Sequence, residues 1–187
     1  MGYTNASPAI GRIPAPGAII RNIESGVTRG WRVAASQEVA ARLISAGLDL
    51  PSGPAALGDY VPAVRAGSLV FTSGQLPMKA GILMATGAVG SETDADTARA
   101  CAGQCALNAL AAASTVCDLD DVVRVVKVTG YVASAPGFTA QPAVVDGASA
   151  VMGTAFGEAG RHARAAVGVV SLPLGAPVEV EIVLELA

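Results

Sequence analysis

Hydrophobic and polar residues alternate along the end of the chain, and the alternation predicts two strands between residues 160 and 186. One side of the final strand is entirely aliphatic: Val178, Val180, Ile182, Leu184 and Leu186. The other side carries three acids and one valine: Glu179, Glu181, Val183 and Glu185. Successive side chains of a strand point to opposite faces, so the aliphatic set predicts a core face. In the preceding strand, one face carries two polar side chains among small residues: His162, Arg164, Ala166 and Gly168.

Four further segments have the composition of strands. Residues 60–65 and 68–73 are joined by Ala66-Gly67, which predicts a hairpin. A short third strand is predicted over residues 82–86. Residues 122–134 have apolar side chains at odd and even positions alike, which is typical of a strand that is covered on both faces.

Three segments have the composition of helices. The first covers residues 36–47, with Ser36 as the predicted N-cap. The longest covers residues 93–116, where Thr93 is the predicted N-cap and the alanine-rich body allows close packing on a sheet. The third covers residues 142–156.

The order of these elements predicts an α/β fold in which two helices cover one face of a six-stranded sheet. The other face then meets solvent or another subunit. Charged residues make up 14% of the chain and hydrophobic residues 52%, against about 25% charged in typical soluble domains. A membrane protein and a homo-oligomer both fit this composition, but no stretch has the ~18 uninterrupted apolar residues of a spanning helix. We therefore expect a homo-oligomer.

Net charge and cysteine content narrow the classes of function. The formal net charge is −3, and the chain has no basic block, which disfavours general nucleic-acid binding. A small basic pocket for an anionic metabolite remains compatible with the composition. The three cysteines, Cys101, Cys105 and Cys117, argue against a disulfide framework and favour the cytoplasm. We expect them to be buried rather than to bind a metal.

The N-terminal part differs in character from the rest. Residues 1–34 contain prolines, glycines and four arginines against one acid, without a regular period. This composition predicts an irregular extension, and a targeting or partner-binding role is the alternative. Residues 35–54 are predicted to be an N-terminal helix and linker, and residues 55–187 the main domain.

The charged residues of the last two strands are the candidate chemistry. Arg164 stays protonated and is suited to bidentate binding of a carboxylate. A nearby glutamate can orient or deprotonate a water molecule. His162 is a second candidate base, although a histidine is more often a packing residue. On spacing alone, a solvated face with an Arg–Glu surface ion pair explains the pattern slightly better than a binding site does.

Five segments carry a more specific pattern: VFTSGQLP at 70–77, VVKVTGYV at 125–132, ARA at 163–165, LP at 172–173 and VEVE at 178–181. Together they resemble the RidA/YjgF family of reactive-intermediate deaminases, whose members are also described as L-PSP endoribonucleases. The resemblance covers about residues 60–186. The segment GEAGRHAR at 157–164 resembles a divergent branch of that family.

The resemblance implies a chorismate-mutase-like fold, with a six-stranded mixed sheet and two helices on one face. It implies a homotrimer with active sites in the clefts between subunits. Members of the family hydrolyse enamines and imines of 2-amino acids, such as 2-iminobutanoate and 2-iminopropanoate, to 2-oxo acids and ammonia. They need no cofactor, so we expect neither a cofactor nor a metal here, and a small carboxylate-bearing metabolite as partner.

The resemblance also assigns residues. The carboxylate-binding arginine of the family falls on Arg164 and its water-associated glutamate on Glu179, which makes these two the candidate catalytic residues. The substrate-binding candidates are Arg164, Tyr60, Ser73, Gly74 and Ala166. The usual Pro-Ala-Arg-Ser is His-Ala-Arg-Ala at 162–165, so a hydroxyl is missing, and the asparagine of the second helix falls near Asp146. These departures affect substrate choice and put turnover itself in question.

Two other functions fit the same residues. A trimer that binds a small carboxylate metabolite without turnover needs Arg164 but does not need Glu179. A ribonuclease or translation inhibitor is the third hypothesis, and the acidic pI of about 5.1 counts against it.

Overall fold

The computed structural model describes residues 37–53 and 59–187. The helices in these ranges are α1 (Gln37–Ser45), α2 (Ala95–Ala113) and α3 (Gln141–Phe156). The strands are β1 (Ala63–Ala66), β2 (Leu69–Thr72), β3 (Met78–Lys79), β4 (Ile82–Leu83), β5 (Val122–Ala133), β6 (Ala163–Val169) and β7 (Val178–Leu186). The extension predicted for residues 1–34 lies outside the described residues, as does Ser36.

The main sheet has five strands in the order β1-β2-β7-β5-β6, and β3 and β4 form a separate two-stranded sheet. Strands β5 and β6 run parallel, whereas all other neighbours are antiparallel. The prediction of an α/β fold with a mixed sheet is confirmed, but the prediction of six strands is wrong. Pro77 has no N–H for a ladder, and the chain reverses at Ala80 and Gly81, both at positive φ, so β4 pairs with β3 outside the main sheet.

Helices α2 and α3 cover one face of the main sheet. The alternate residues of β7 that were predicted to form the core are all buried: Val178, Val180, Ile182, Leu184 and Leu186. The two helices touch through Gly147, where an added Cβ would overlap the carbonyl oxygen of Arg99. This close approach fixes the position of α3 beside the sheet.

The N-cap of α2 is Asp94 and not the predicted Thr93. The carboxylate of Asp94 accepts a hydrogen bond of 2.8 Å from the backbone N–H of Thr97. The hydroxyl of Thr93 instead donates to the carbonyl of Thr86, at 2.9 Å. Thr93 therefore holds the preceding loop, and the adjacent aspartate satisfies the free N–H group of the helix.

Helix α1 packs against the outside of α3. The carboxylate of Asp120 accepts hydrogen bonds from the backbone N–H groups of Glu38 and Val39, at 3.2 and 3.0 Å. Arg42 donates to the carbonyl of Ala155 on α3, at 2.9 Å. Leu43 is fully buried and belongs to the same hydrophobic core as the sheet. The N-terminal helix is thus packed onto the residues that follow the linker.

The sheet face opposite the helices carries exposed apolar side chains. Val64, Phe71 and Val167 are 49%, 39% and 42% exposed. Within the described ranges, none of the helices is both long and apolar enough to cross a membrane. The open sheet face is where the composition predicts a neighbouring subunit, and that contact stays a prediction.

Candidate functional site

A cavity of about 590 Å³ opens where β2 ends and the chain leaves the main sheet. We call it the Glu179 cavity. Three of the predicted site residues line it: Tyr60, Gly74 and Glu179. Tyr60 precedes β1, Gly74 follows β2, and Glu179 lies on β7, so the cavity joins residues that are more than 100 positions apart in the chain.

The backbone places Gly74 directly against Glu179. Beyond the end of β2, Gln75 and Val180 exchange two backbone hydrogen bonds of 2.8 and 3.0 Å. An added Cβ at Gly74 would overlap Oε1 of Glu179. Only glycine leaves space for the carboxylate in this position, which gives a physical reason for glycine at the strand end.

The environment of Glu179 favours the protonated carboxyl group. Its partial burial raises its pKa above the ordinary glutamate value, and the negative charge of Glu181 raises this pKa further. Glu181 accepts a hydrogen bond of 3.2 Å from the hydroxyl of Tyr131. A carboxylate with a raised pKa is a stronger base, because it accepts a proton more readily.

Asn108 holds one wall of the Glu179 cavity and was not predicted. This residue of α2 is buried, and its side-chain amide donates to the carbonyls of Leu76 and Met78, at 2.8 and 3.0 Å. Its side-chain oxygen accepts a hydrogen bond of 2.9 Å from Gln104. The sequence could have pointed to Asn108, because it is a polar residue inside an apolar, alanine-rich stretch of helix. A buried amide needs hydrogen-bond partners, which a neighbouring loop can supply.

Arg164 lies in a second cluster, between β6 and α3. Its Nη1 donates to Oδ1 of Asp146 at 2.6 Å and to Oγ of Ser149 at 3.1 Å. The hydroxyl of Ser149 is 3.1 Å from Nε2 of His162, and Nδ1 of His162 is 2.6 Å from the carbonyl oxygen of Gly160. We call Asp146, Ser149, His162 and Arg164 the Arg164 cluster.

The hydrogen bonds of this cluster determine the proton positions when His162 is neutral. A carbonyl oxygen can only accept, so Nδ1 of His162 carries the proton and Nε2 accepts from the hydroxyl of Ser149. The Ser149 oxygen is then free to accept from Arg164. Both bonds of Arg164 use Nη1, and among the described residues no hydrogen bond engages its Nη2 or Nε. That edge of the guanidinium group can bind a carboxylate.

The Glu179 cavity and the Arg164 cluster do not meet in one chain. Arg164 is paired with Val128 of β5, and Glu179 is paired with Tyr131 on the other side of the same strand. Val128 faces the helices, whereas Tyr131 is three residues further on and points to the opposite face. The two candidate catalytic residues therefore lie on opposite sides of the sheet.

The remaining predicted residues are divided in the same way. Ala166 lies on β6 near Arg164, and Ser73 donates to the carbonyl of Val61 at 2.8 Å without lining the cavity. The alternative of an Arg–Glu ion pair is wrong for Arg164, whose partner is Asp146.

A family model described as "YjgF/chorismate_mutase-like, putative endoribonuclease" matches residues 40–186. The chain belongs to the RidA/YjgF family. The resemblance that rested on five short segments is therefore confirmed. The match begins within α1, in agreement with the packing of this helix on α3.

Individual proteins similar to this chain align with it over almost their whole length. Protein TCP17 of Trypanosoma cruzi is 43% identical over 156 residues, which cover 82% of this chain and 98% of that protein. The crystal structure of Atu1372, a protein of unknown function from Agrobacterium tumefaciens, is 43% identical with a TM-score of 0.75, covering 81% of this chain and 95% of its own. A "putative endoribonuclease" from Shewanella oneidensis is 34% identical with a TM-score of 0.76, covering 79% and 99%.

Proposed function

We propose that this protein hydrolyses 2-imino acids and their enamine tautomers to 2-oxo acids and ammonia. The observation that carries the proposal is the half-buried carboxylate of Glu179, whose pKa is raised, at the wall of a cavity of about 590 Å³. Membership of the RidA/YjgF family is compatible with this activity. Among the described residues that line the cavity, none carries a positive charge. A substrate carboxylate in this cavity therefore needs a cation from elsewhere.

In the proposed assembly, a homotrimer, Arg164 of one subunit completes the Glu179 cavity of the next. The exposed apolar residues on the open sheet face, such as Phe71 and Val167, support an interface between subunits. The free edge of the Arg164 guanidinium group supports a role in carboxylate binding.

The proposed reaction uses one water molecule and returns every proton. Arg164 holds the substrate carboxylate and fixes the imine carbon near a water molecule. Glu179 accepts a proton from this water as its oxygen bonds to the imine carbon, and the electrons of the C=N bond move to nitrogen. Glu179 returns this proton to nitrogen, which gives a carbinolamine with one hydroxyl and one amino group. Glu179 then takes the hydroxyl proton and passes it to nitrogen as the C–N bond breaks, so that the carbonyl forms and ammonia leaves.

The test is an imine-decay assay with an amino-acid oxidase, its substrate and the purified protein. The protein is expected to accelerate loss of the imine, and the Arg164→Ala variant is expected to lose most of the acceleration. Arg161→Ala is the matched control, because Arg161 is largely exposed and pairs only with Glu158 among the described residues. A decay rate equal to the uncatalysed rate would reject the proposed function.

Mixed oligomers test whether the site is shared between subunits. The inactive variants Arg164→Ala and Glu179→Gln are denatured together in equal amounts and refolded. If each site takes Arg164 and Glu179 from different subunits, about a quarter of the sites in random mixtures regain both residues, and activity returns to that level. Activity that stays at the level of the separate variants would contradict the shared site.

Binding without turnover is the second candidate, because Asp146 already neutralises one side of Arg164. It predicts that a 2-oxo acid binds with an affinity that Glu179→Gln does not weaken, while imine decay is unchanged by the protein. Calorimetry beside the decay assay separates the two functions. Ribonuclease activity is the least supported, since a net charge of −3 and a cavity lined without cations do not favour RNA.

A further inference from the structure

The Glu179 cavity has a wall that hydrolysis of a small imine does not require. Apolar side chains from three connections form it: Pro51 after α1, Leu76 and Met78 after β2, and Pro173 and Leu174 before β7. We call these five residues the apolar wall. Gln75 and Ser52 also line the cavity, and the side-chain amide of Gln75 donates to the carbonyl of Ser73 at 3.2 Å.

The cavity is much larger than the smallest substrates. One water molecule takes about 30 Å³ in the liquid, so 2-iminopropanoate, with six heavy atoms, fills on the order of 100–200 Å³. In a single chain the cavity holds about 590 Å³, of which Arg164 of the neighbouring subunit would fill only a part in the proposed trimer. A small imine would leave most of this space to water against apolar side chains, whereas a large apolar group would displace that water.

The apolar wall is also held in place before a ligand arrives. The buried side chain of Asn108 bonds the carbonyls of Leu76 and Met78. Close to Pro51, Gly53 lies against the end of α2, where an added Cβ would be 3.2 Å from the carbonyl oxygen of Ala111. Prolines at positions 51 and 173 restrict the backbone further. A preformed wall favours a ligand that fits it, because little conformational entropy is lost on binding.

We propose that the apolar wall selects 2-imino acids with bulky apolar side chains, of the branched aliphatic, thioether or aromatic kind, over those with one or two carbons. This inference rests on the proposed function, since it places the imine carbon at Glu179 and the side chain on the wall. Each added methylene in an apolar pocket favours the larger substrate about tenfold or more. The preference for a leucine-derived imine over an alanine-derived one is therefore expected to be at least about tenfold in kcat/KM.

The experiment compares imines made in place by an amino-acid oxidase from leucine, methionine, phenylalanine, alanine and 2-aminobutyrate. Each rate is corrected for the uncatalysed hydrolysis of the same imine. Higher kcat/KM for the three bulky imines supports the inference. Equal values, or a preference for the alanine-derived imine, would overturn it while leaving the proposed function intact.

A variant that narrows the cavity tests the wall itself. Met78→Trp is expected to lower the ratio of kcat/KM between the leucine-derived and alanine-derived imines about tenfold. Lys79→Ala is the matched control, because Lys79 is the exposed neighbour of Met78 on β3 and does not line the cavity. Melting temperatures show whether Met78→Trp folds. A ratio that stays at the wild-type value in a folded Met78→Trp variant contradicts a role for the wall.

Binding of the products separates failure of this inference from failure of the proposed function. Calorimetry with 4-methyl-2-oxopentanoate and with pyruvate requires no turnover. Tighter binding of the bulky 2-oxo acid supports the apolar wall even if no imine is hydrolysed, in which case only the proposed function fails. Pyruvate that binds as tightly as the bulky acid would overturn the inference.

Discussion

The two halves of the candidate site are built by different means. In the Glu179 cavity the carboxylate is positioned mainly through the backbone, since Gly74 leaves the space for it and Asn108 holds the neighbouring loop through carbonyl groups. The Arg164 cluster is shaped by side chains, which form a chain of hydrogen bonds from Asp146 to His162.

This difference shows how the two charges are controlled. Partial burial and a neighbouring acid raise the pKa of Glu179, so the surroundings of Glu179 make its carboxylate a stronger base. An arginine side chain stays protonated in proteins, so the surroundings of Arg164 can change only the orientation of its guanidinium group. Substitutions near Glu179 are therefore expected to change kcat and its pH dependence, whereas substitutions near Arg164 are expected to change KM.

The largest effect is expected for Glu179→Gln. Loss of a general base lowers kcat about 10²- to 10⁴-fold. The same variant is expected to be slightly more stable at neutral pH. Protonated Glu179 favours the folded state, and this contribution is lost as pH rises through its raised pKa, so the ionised group destabilises the fold near pH 7. Calorimetry is expected to show a higher melting temperature for this variant than for the wild type. An unchanged kcat would separate Glu179 from catalysis.

Gly74→Ala is expected to displace Glu179 without unfolding the chain. The added Cβ overlaps the end of a flexible side chain, so the carboxylate moves rather than the backbone. A displacement of about 1 Å lowers kcat/KM up to about 100-fold. Gly153→Ala is the matched control, because an added Cβ there meets nothing within 4 Å. Steady-state kinetics and melting curves of both variants test this prediction. If Gly74→Ala and Gly153→Ala had equal kcat/KM, the close fit of Gly74 and Glu179 would be contradicted.

Ser149→Ala tests the other half of the comparison. It removes one hydrogen bond to Arg164, and KM is expected to rise about 3- to 10-fold with little change in kcat. Ser149→Thr keeps the hydroxyl and is expected to restore KM. Steady-state kinetics of the two variants measure this, and a fall in kcat with unchanged KM would assign Ser149 to chemistry rather than to the orientation of Arg164.

The smallest effect is expected for Glu181→Gln. The acid limb of kcat/KM reports the pKa of Glu179, which lies above the ordinary value of about 4.3. Without the negative charge of Glu181 this pKa falls, so activity should persist to a lower pH. Glu185→Gln is the control, because Glu185 pairs with Arg124. Identical acid limbs in the wild type and Glu181→Gln would show that burial alone raises the pKa.

Much of the fold could be predicted, because buried positions recur along the sequence with the period of the strand or helix that holds them. The alternation of β7 identified both its core face and the acids opposite. The number of strands in the main sheet could not be predicted, since residues 78–83 have strand composition but pair with each other. The predicted N-cap of α2 was wrong by one residue, because the side chains of Thr93 and Asp94 can both accept a hydrogen bond from the first turn of a helix.

The candidate site was less accessible to sequence reasoning. Alternation assigns the faces of each strand separately, and only the pairing with β5 shows that Arg164 and Glu179 lie on opposite sides. Ser149 left no signal, because a serine in a helix has many roles. Asp146 was noted only as a departure from the family pattern, and its bond to Arg164 depends on how α3 packs beside β6.

Arg164 and Glu179 lie on opposite faces of the main sheet, and this has a consequence for the behaviour of the protein in dilute solution. If a working site needs both residues, an isolated chain is inert, and catalysis begins only when chains find one another. Specific activity would then fall on dilution below the dissociation constant of the oligomer. The amount of protein in a cell would act as a threshold on its activity rather than as a simple multiplier.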